Sequence, residues 1–450
     1  MRTRFFAARP ALGTALLLSV CAWSFRAAPA AAAEPGAKPA HDQRIIPEKS
    51  HPDRLPDRPS VPPSFSIPVG ALGFAAPGPI YLGQRFSLAS LDFLGEDRLL
   101  FTFRVPGLIH RSAHATDDND AEHHVRALVL ALPSGAVEAE SVWMLHDRDR
   151  YVWALDDGRF LLRDRDQIKL GNDALDLKPY LRFPGPVLDV GMDPQQQLLV
   201  TNSREPESPT PQPTLDSPGG KDSSATQPAS RSNLIVRVLR RESGRVVAVS
   251  HVHSPVALPL NSDGFLELLP AKENRWAINL NSFSGGSEVL GEVESSCTPS
   301  ADFVSQREFL VTTCTHGDMR GTFGMTTDGR TLWEDLPLSS PVWPLIVASE
   351  NGMRFARESL AVSRAVNAFS PLSFDDIKGQ VVEVFDAATG KVALTAAASP
   401  VFDGGGNVAI SPSGRRVAVL NAGAIQVFDL PAPPALPAAA GPSEASKTRP

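Results

Sequence analysis

The segment Asn407 to Leu430, NVAISPSGRRVAVLNAGAIQVFDL, constrains the fold of this chain more than any other stretch. It holds three short apolar runs separated by two turns. Val408 and Ile410, Val417 and Val419, and Ile425 and Val427 each alternate with small or polar neighbours, the period-two pattern of a half-buried strand. Ser413-Gly414 and Ala422-Gly423 supply the residues that tight hairpins demand. The unit is an antiparallel meander, and weaker versions of it recur upstream.

Two half-signatures alternate along the chain. One joins two apolar strands through an acidic or proline turn: FLGEDRLLFTF, MDPQQQLLVTN, FVSQREFLVTT and ISPSGRRVAVL. The other joins them through an x-Gly turn: LALPSGAVEAE, VLRRESGRVVAV, GMTTDGRTLWE and VFDAATGKVAL. A four-stranded sheet that repeats around an axis needs both hairpins, so the alternation predicts an all-β propeller. Its span is read as residues 79–432. Counting from Tyr81 to Ala432 and setting aside pattern-poor stretches at 105–124, 203–231 and 363–378 leaves about 287 residues, or about 41 for each of seven blades. Six blades would need about 48 each and eight about 36, against the ~40–45 of such a unit. The reading is a seven-bladed β-propeller of four-stranded antiparallel blades.

The residues Ser411-Pro-Ser-Gly-Arg-Arg-Val-Ala-Val-Leu-Asn, followed by Ala424-Ile-Gln-Val-Phe-Asp, resemble the repeat of WD-repeat and related bacterial surface-type seven-bladed propellers. Val384-Phe-Asp-Ala-Ala-Thr-Gly-Lys-Val is similar to the segment linking their third and fourth strands. The likeness is good over 380–430, weak over 81–260 and poor over 261–340, and no blade ends in Trp-Asp. It implies a binding scaffold and no particular reaction, since this fold serves many functions. Closure of such a ring is expected to use Pro79 to Phe86 as a strand beside Gln426-Val427-Phe428.

Outside the repeat, composition decides. Arg2 and Arg4, the apolar run Ala11 to Trp23 and the small residues of Ala28 to Ala33 read as a signal peptide over 1–33. The apolar run falls short of the ~20 residues a membrane span needs, and no later stretch reaches that length. Cys21 in Leu-Ser-Val-Cys makes lipidation a minor alternative. Export to the periplasm or the extracellular space is the expectation. Residues 34–78 are Pro-rich and charged and are read as a disordered lead-in; 203–231 reads as a disordered insertion, 105–124 as a loop insertion and 433–450 as a disordered tail.

Candidate sites are few. Cys297 and Cys314, on neighbouring expected strands, are either a disulfide or two buried thiols. His110, His114, Asp117 and His123 in the first insertion have ligand chemistry for a divalent metal, but an exposed polar loop has the same composition. Arg148, Arg150, Arg163 and Arg165 flank the hairpin Tyr151 to Arg163. They are either solvated cross-strand pairs or a rim able to grip an anion. No Gly-x-Ser-x-Gly, His-Glu-x-x-His, P-loop or Cys-x-x-Cys is present. Gly404-Gly-Gly406 lacks a following helix and does not cradle phosphate. The net charge of -7 argues against nucleic acid as partner. The expectation is an exported, non-catalytic scaffold for a protein or polymer partner, with no cofactor. The alternative is a propeller hydrolase, lyase or quinoprotein-like enzyme with its site at the channel mouth.

Overall fold

The structure is a computed structural model and describes residues 55–77, 86–106, 110–111, 121–147, 149–205, 233–315, 319–334, 338–339, 343–362 and 374–433. All lie within Ser50–Pro450. Their strands form seven antiparallel sheets. The first strand, β1 (Phe65–Pro68), stands apart from those that follow it in sequence. Blade 1 holds β2 (Ala89–Phe93), β3 (Arg98–Arg104), β5 (Ala121–Ala131) and β6 (Ala136–Leu145), with β4 (His110–Arg111) pairing the start of β5. Blade 2 holds β7 (Val152–Ala154), β8 (Phe160–Asp164), β9 (Gln167–Gly171) and β10 (Leu177–Arg182). Blade 3 holds β11 (Val187–Met192), β12 (Leu198–Arg204), β13 (Leu234–Arg240) and β14 (Val246–Val252). Blade 4 holds β15 (Gly264–Lys272), β16 (Arg275–Ser282) and β17 (Ser287–Glu294). Blade 5 holds β18 (Ser300–Phe303), β19 (Glu308–Thr315), β20 (Met319–Thr326) and β21 (Thr331–Glu334), with β22 (Leu338–Ser339) pairing β20. Blade 6 holds β23 (Leu345–Ala348), β24 (Arg354–Val362), β25 (Ile377–Asp386) and β26 (Lys391–Ala398). Blade 7 holds β27 (Val408–Ile410), β28 (Arg416–Asn421) and β29 (Ala424–Asp429), and takes β1 as its fourth strand.

The packing follows from the period of two. Successive side chains on a strand leave on opposite faces, so a strand that is apolar at every position must be covered twice. On β28, Val417 and Val419 pack toward blade 6, and Ala418 and Leu420 pack toward blade 1. The buried apolar residues fall into seven clusters, one between each pair of neighbouring blades. Seven interfaces for seven blades is the closed ring of a propeller, the architecture expected from the repeat. Blade 4 departs from the pattern on its inner side. There the segment ahead of β15 is held by one bridge, Leu260 to Phe265, in place of a regular strand. Pro259 cannot donate to a ladder, which accounts for the irregular strand.

Closure corrects one expectation. The strand that completes blade 7 is β1 and not Pro79 to Phe86, whose first seven residues lie outside the described ones. β1 pairs antiparallel with β29, with Phe65 opposite Val427 and Ile67 opposite Ile425. Residues from Leu55 onward, assigned to a disordered lead-in, therefore include structural sequence. Ser60 exchanges two hydrogen bonds with Thr395 of β26, and Val61 packs on the cluster between blades 6 and 7. The prolines on either side of β1 masked it, yet proline is tolerated on an edge strand.

The two ends of the ring differ. Connections from first to second and from third to fourth strand all fall at one end, and each is five residues or fewer. Gly95, Gly158, Gly352 and Gly414 take positive φ there, as such turns require. At the other end lie the links between blades and the second-to-third connections. Those of blades 1, 3 and 6 contain 105–120, 205–233 and 363–376. We refer to these ends as the turn face and the insertion face.

Candidate functional site

A cavity of about 380 Å³ runs through the centre of the ring. Among the described residues its wall comes from the inner sides of every blade except the fourth. At the turn face the recessed edge of blade 4 is bridged by Gln306 of blade 5. Its Nε2 donates to Asp193 Oδ2 of blade 3 at 3.0 Å, and its backbone carbonyl accepts from Asn261 Nδ2 at 3.0 Å. Asp193 also accepts from the backbone N–H of Leu198 at 2.6 Å, so this carboxylate is committed to its own turn.

Two other carboxyls are not committed in that way. On β2, Ser90 Oγ donates to Asp92 Oδ2 at 2.5 Å and Arg150 stands 3.9 Å from Oδ1. Burial pushes the Asp92 carboxyl up to about 6 against the lowering pull of Arg150 and Ser90. On β24, Glu358 is 3 % exposed and neither of its oxygens has a hydrogen-bond partner. Burial alone pushes it up to about 8. Glu358 shares a strand face with Ala356, which packs toward blade 7, and its neighbour Arg357 leaves the other way to pair with Glu383 at 2.8 Å. Opposite it runs Gly404-Gly405-Gly406. A Cβ at Gly405 would sit 2.7 Å from Leu345 and 3.5 Å from Glu358 Oε2, and one at Gly406 only 2.0 Å from the Ala89 carbonyl. The glycines serve close approach of backbone to blades 6 and 1.

The arginines near the insertion face are placed individually. Arg163 is 2 % exposed; its Nε lies 3.3 Å from Asp147 and its guanidinium 6.0 Å from the Trp153 ring. It also donates to the Leu188 carbonyl, tying blade 2 to blade 3. This side chain is an internal tie and not a solvated surface cation. Arg150 lies over the same ring at 5.4 Å with its side chain 54 % exposed. The backbone N–H of Arg165 donates to Asp147 Oδ2 at 3.0 Å. Arg148 lies outside the described residues.

Of the metal candidates, His114 and Asp117 lie outside the described residues. His110 is on β4 opposite Glu122, and His123 is on β5 opposite Leu145, so β5 begins inside the stretch read as loop. Among the described residues no group of three or more His, Cys, Asp or Glu side chains gathers as a metal site. Sequence reading passed over His146, whose ring lies 3.1 Å from Asp164 and 3.4 Å from Glu122. It also passed over Glu358; the signal was an acid on the apolar face of RFARESLAV.

Cys297 and Cys314 form a disulfide, with Cα atoms 5.6 Å apart. It pins the link between blades 4 and 5 to the end of β19. Reduction of a loop with a separation of 17 residues is expected to lower stability by about 3 kcal/mol. Melting with and without reductant, compared with Cys297→Ser, checks it: the variant should melt like the reduced protein.

No family model matches the chain, and no curated protein matches it. Solved structures do. Acylaminoacyl peptidase from Pyrococcus horikoshii is 14% identical, with a TM-score of 0.43, over 74% of this chain and 49% of the peptidase. This chain thus spans about half the length of that protein. The C-terminal WD40 domain of Sif2 is 11% identical, with a TM-score of 0.38, over 76% and 95% of the two chains. TolB from Acinetobacter baumannii is 13% identical, with a TM-score of 0.35, over 69% and 72%. Matches at this level speak to fold alone, and the seven sheets define the class without them: this is a seven-bladed β-propeller. Among the described residues no helix is long and apolar enough to cross a membrane.

Proposed function

We propose that the protein is an exported, non-catalytic propeller that holds a protein or polymer partner on its insertion face. The observation that carries this is the asymmetry of the connections. Every turn on one face is five residues or fewer, and the long connections of blades 1, 3 and 6 all leave from the other. Long connections set on a rigid scaffold are where binding residues concentrate. Export draws on Arg2, Arg4, the apolar run to Trp23 and the small residues before Glu34.

Affinity capture from envelope extract tests the reading. Excising 206–232 should leave the melting temperature unchanged, because β12 and β13 already pair through Arg204 and Leu234. The same excision should reduce partner recovery. Equal recovery from the shortened and full-length proteins would count against the insertion face. A propeller enzyme is the second reading, and it draws on Asp92 and Glu358 as two carboxyls poised near neutrality in one cavity.

A further inference from the structure

We propose that the central cavity is a binding site for a small organic cation, an alkylammonium or guanidinium group, with Glu358 as its anionic anchor. The inference goes beyond partner binding on the insertion face and does not depend on it. A buried carboxyl costs free energy unless something hydrogen-bonds to it, and buried polar groups in folded proteins nearly always have a partner. Glu358 has none, although the cavity runs past it. The space is of the size that holds small molecules.

The sign of the ligand follows from the wall. Among the described residues Asp92, Asp193, Glu350 and Glu358 border the cavity against the single cation Arg150, which is turned to Asp92 and Trp153. At the turn face Glu350 is held above its ordinary value by burial and by the carboxylates of Asp156, Glu96 and Asp157, with Arg241 opposing them. An anion would meet repulsion along this path. A cation is drawn in, since clefts with low-dielectric walls focus the field of their charges. Among the described residues no charged group is set against Glu358 itself: Leu345 and Gly405 lie beside it, and Arg357 and Glu383 pair on the far face of the blade. A ligand N–H donor would therefore give this carboxylate its first counter-charge. In the free protein at neutral pH the carboxyl carries its proton, so uptake of the cation releases one.

Two probes distinguish the sources of such a group: n-butylamine for a free amine and acetyl-Gly-Lys-Gly-amide for a peptide side chain. Calorimetry of the full chain at pH 7 should show saturable binding of at least one. Affinity should fall about tenfold or more in Glu358→Gln, the loss of a charge-assisted hydrogen bond. Titration in two buffers of different ionisation enthalpy should report release of about one proton per ligand; that measurement needs no variant. Binding of the amine assigns a free ligand, and binding of the peptide alone assigns a side chain. Saturation by neither overturns the site, as does equal affinity in Glu358→Gln or uptake without proton release.

Discussion

At pH 8 the Glu358→Gln protein is expected to melt about 5 °C or more above the wild type, and the gap should close by pH 4. The sign follows from where the proton sits. The ordinary value of the Glu358 carboxyl is 4.5 and burial in the fold raises it to about 8. Between these values the folded chain holds a proton that the unfolded chain has lost. Stability therefore falls as pH rises through that window, is unaffected below it, and carries the full penalty above it. A displacement of this size corresponds to roughly 5 kcal/mol. Glutamine keeps the shape and cannot ionise, so the variant escapes the fall. It still buries an amide, so it gains nothing at low pH. Asp92 adds a smaller slope of the same sign between 3.8 and about 6 in both proteins. Melting followed by circular dichroism from pH 4 to pH 9 checks this. A gap that does not change with pH would show that Glu358 ionises in the fold as readily as in the unfolded chain.

That carboxyl also marks the limit of what the chain reveals when read as text. Period-two alternation and turn chemistry are local, so Val417 to Leu420 and Ser413-Gly414 announce a blade without help from the rest of the molecule. Blade number follows from length because each blade uses a similar amount of chain. Burial of one side chain on a blade face is decided by what the next blade sets opposite it. Glu358 is buried because Gly404 to Gly406 bring bare backbone against blades 6 and 1, and RFARESLAV carries the acid on its apolar face without encoding the backbone set opposite it. Arg163 repeats the lesson. In the run RDRD it reads as solvated, yet Trp153 and Asp147 enclose it and it donates to the Leu188 carbonyl across the boundary with blade 3. Cys297 and Cys314 meet because β19 ends beside the link into blade 5, a placement that spacing alone leaves open. β1 escaped notice for a different reason. Four residues give only two alternations, too few to outweigh the prolines around them.

Truncation through Pro68 is expected to lower the melting temperature by about 10 °C or to prevent folding, whereas truncation through Arg54 should leave it nearly unchanged. β1 closes the ring. The Ser64 N–H donates to the Val427 carbonyl at 2.8 Å, and the Val69 N–H donates to Gly423 at 3.0 Å, so the strand is tied at both ends. Ile67 and Val69 are 5% and 1% exposed in the cluster that joins blade 7 to blade 1. Losing two such side chains forfeits about 1.5–3 kcal/mol each, before the ladder bonds are counted. The bared edge of β29, with Ile425 and Val427 alternating along it, becomes a template for pairing with other chains. Aggregation of the shorter protein should therefore accompany its lower melting point. Ile67→Ala separates packing from pairing, since it keeps the backbone bonds and should cost about 2–4 kcal/mol. Light scattering and thermal melts of the two truncations decide the point. If both melt alike, the ring is closed by its interblade cores alone, and β1 only lies along the edge of a blade that stands without it.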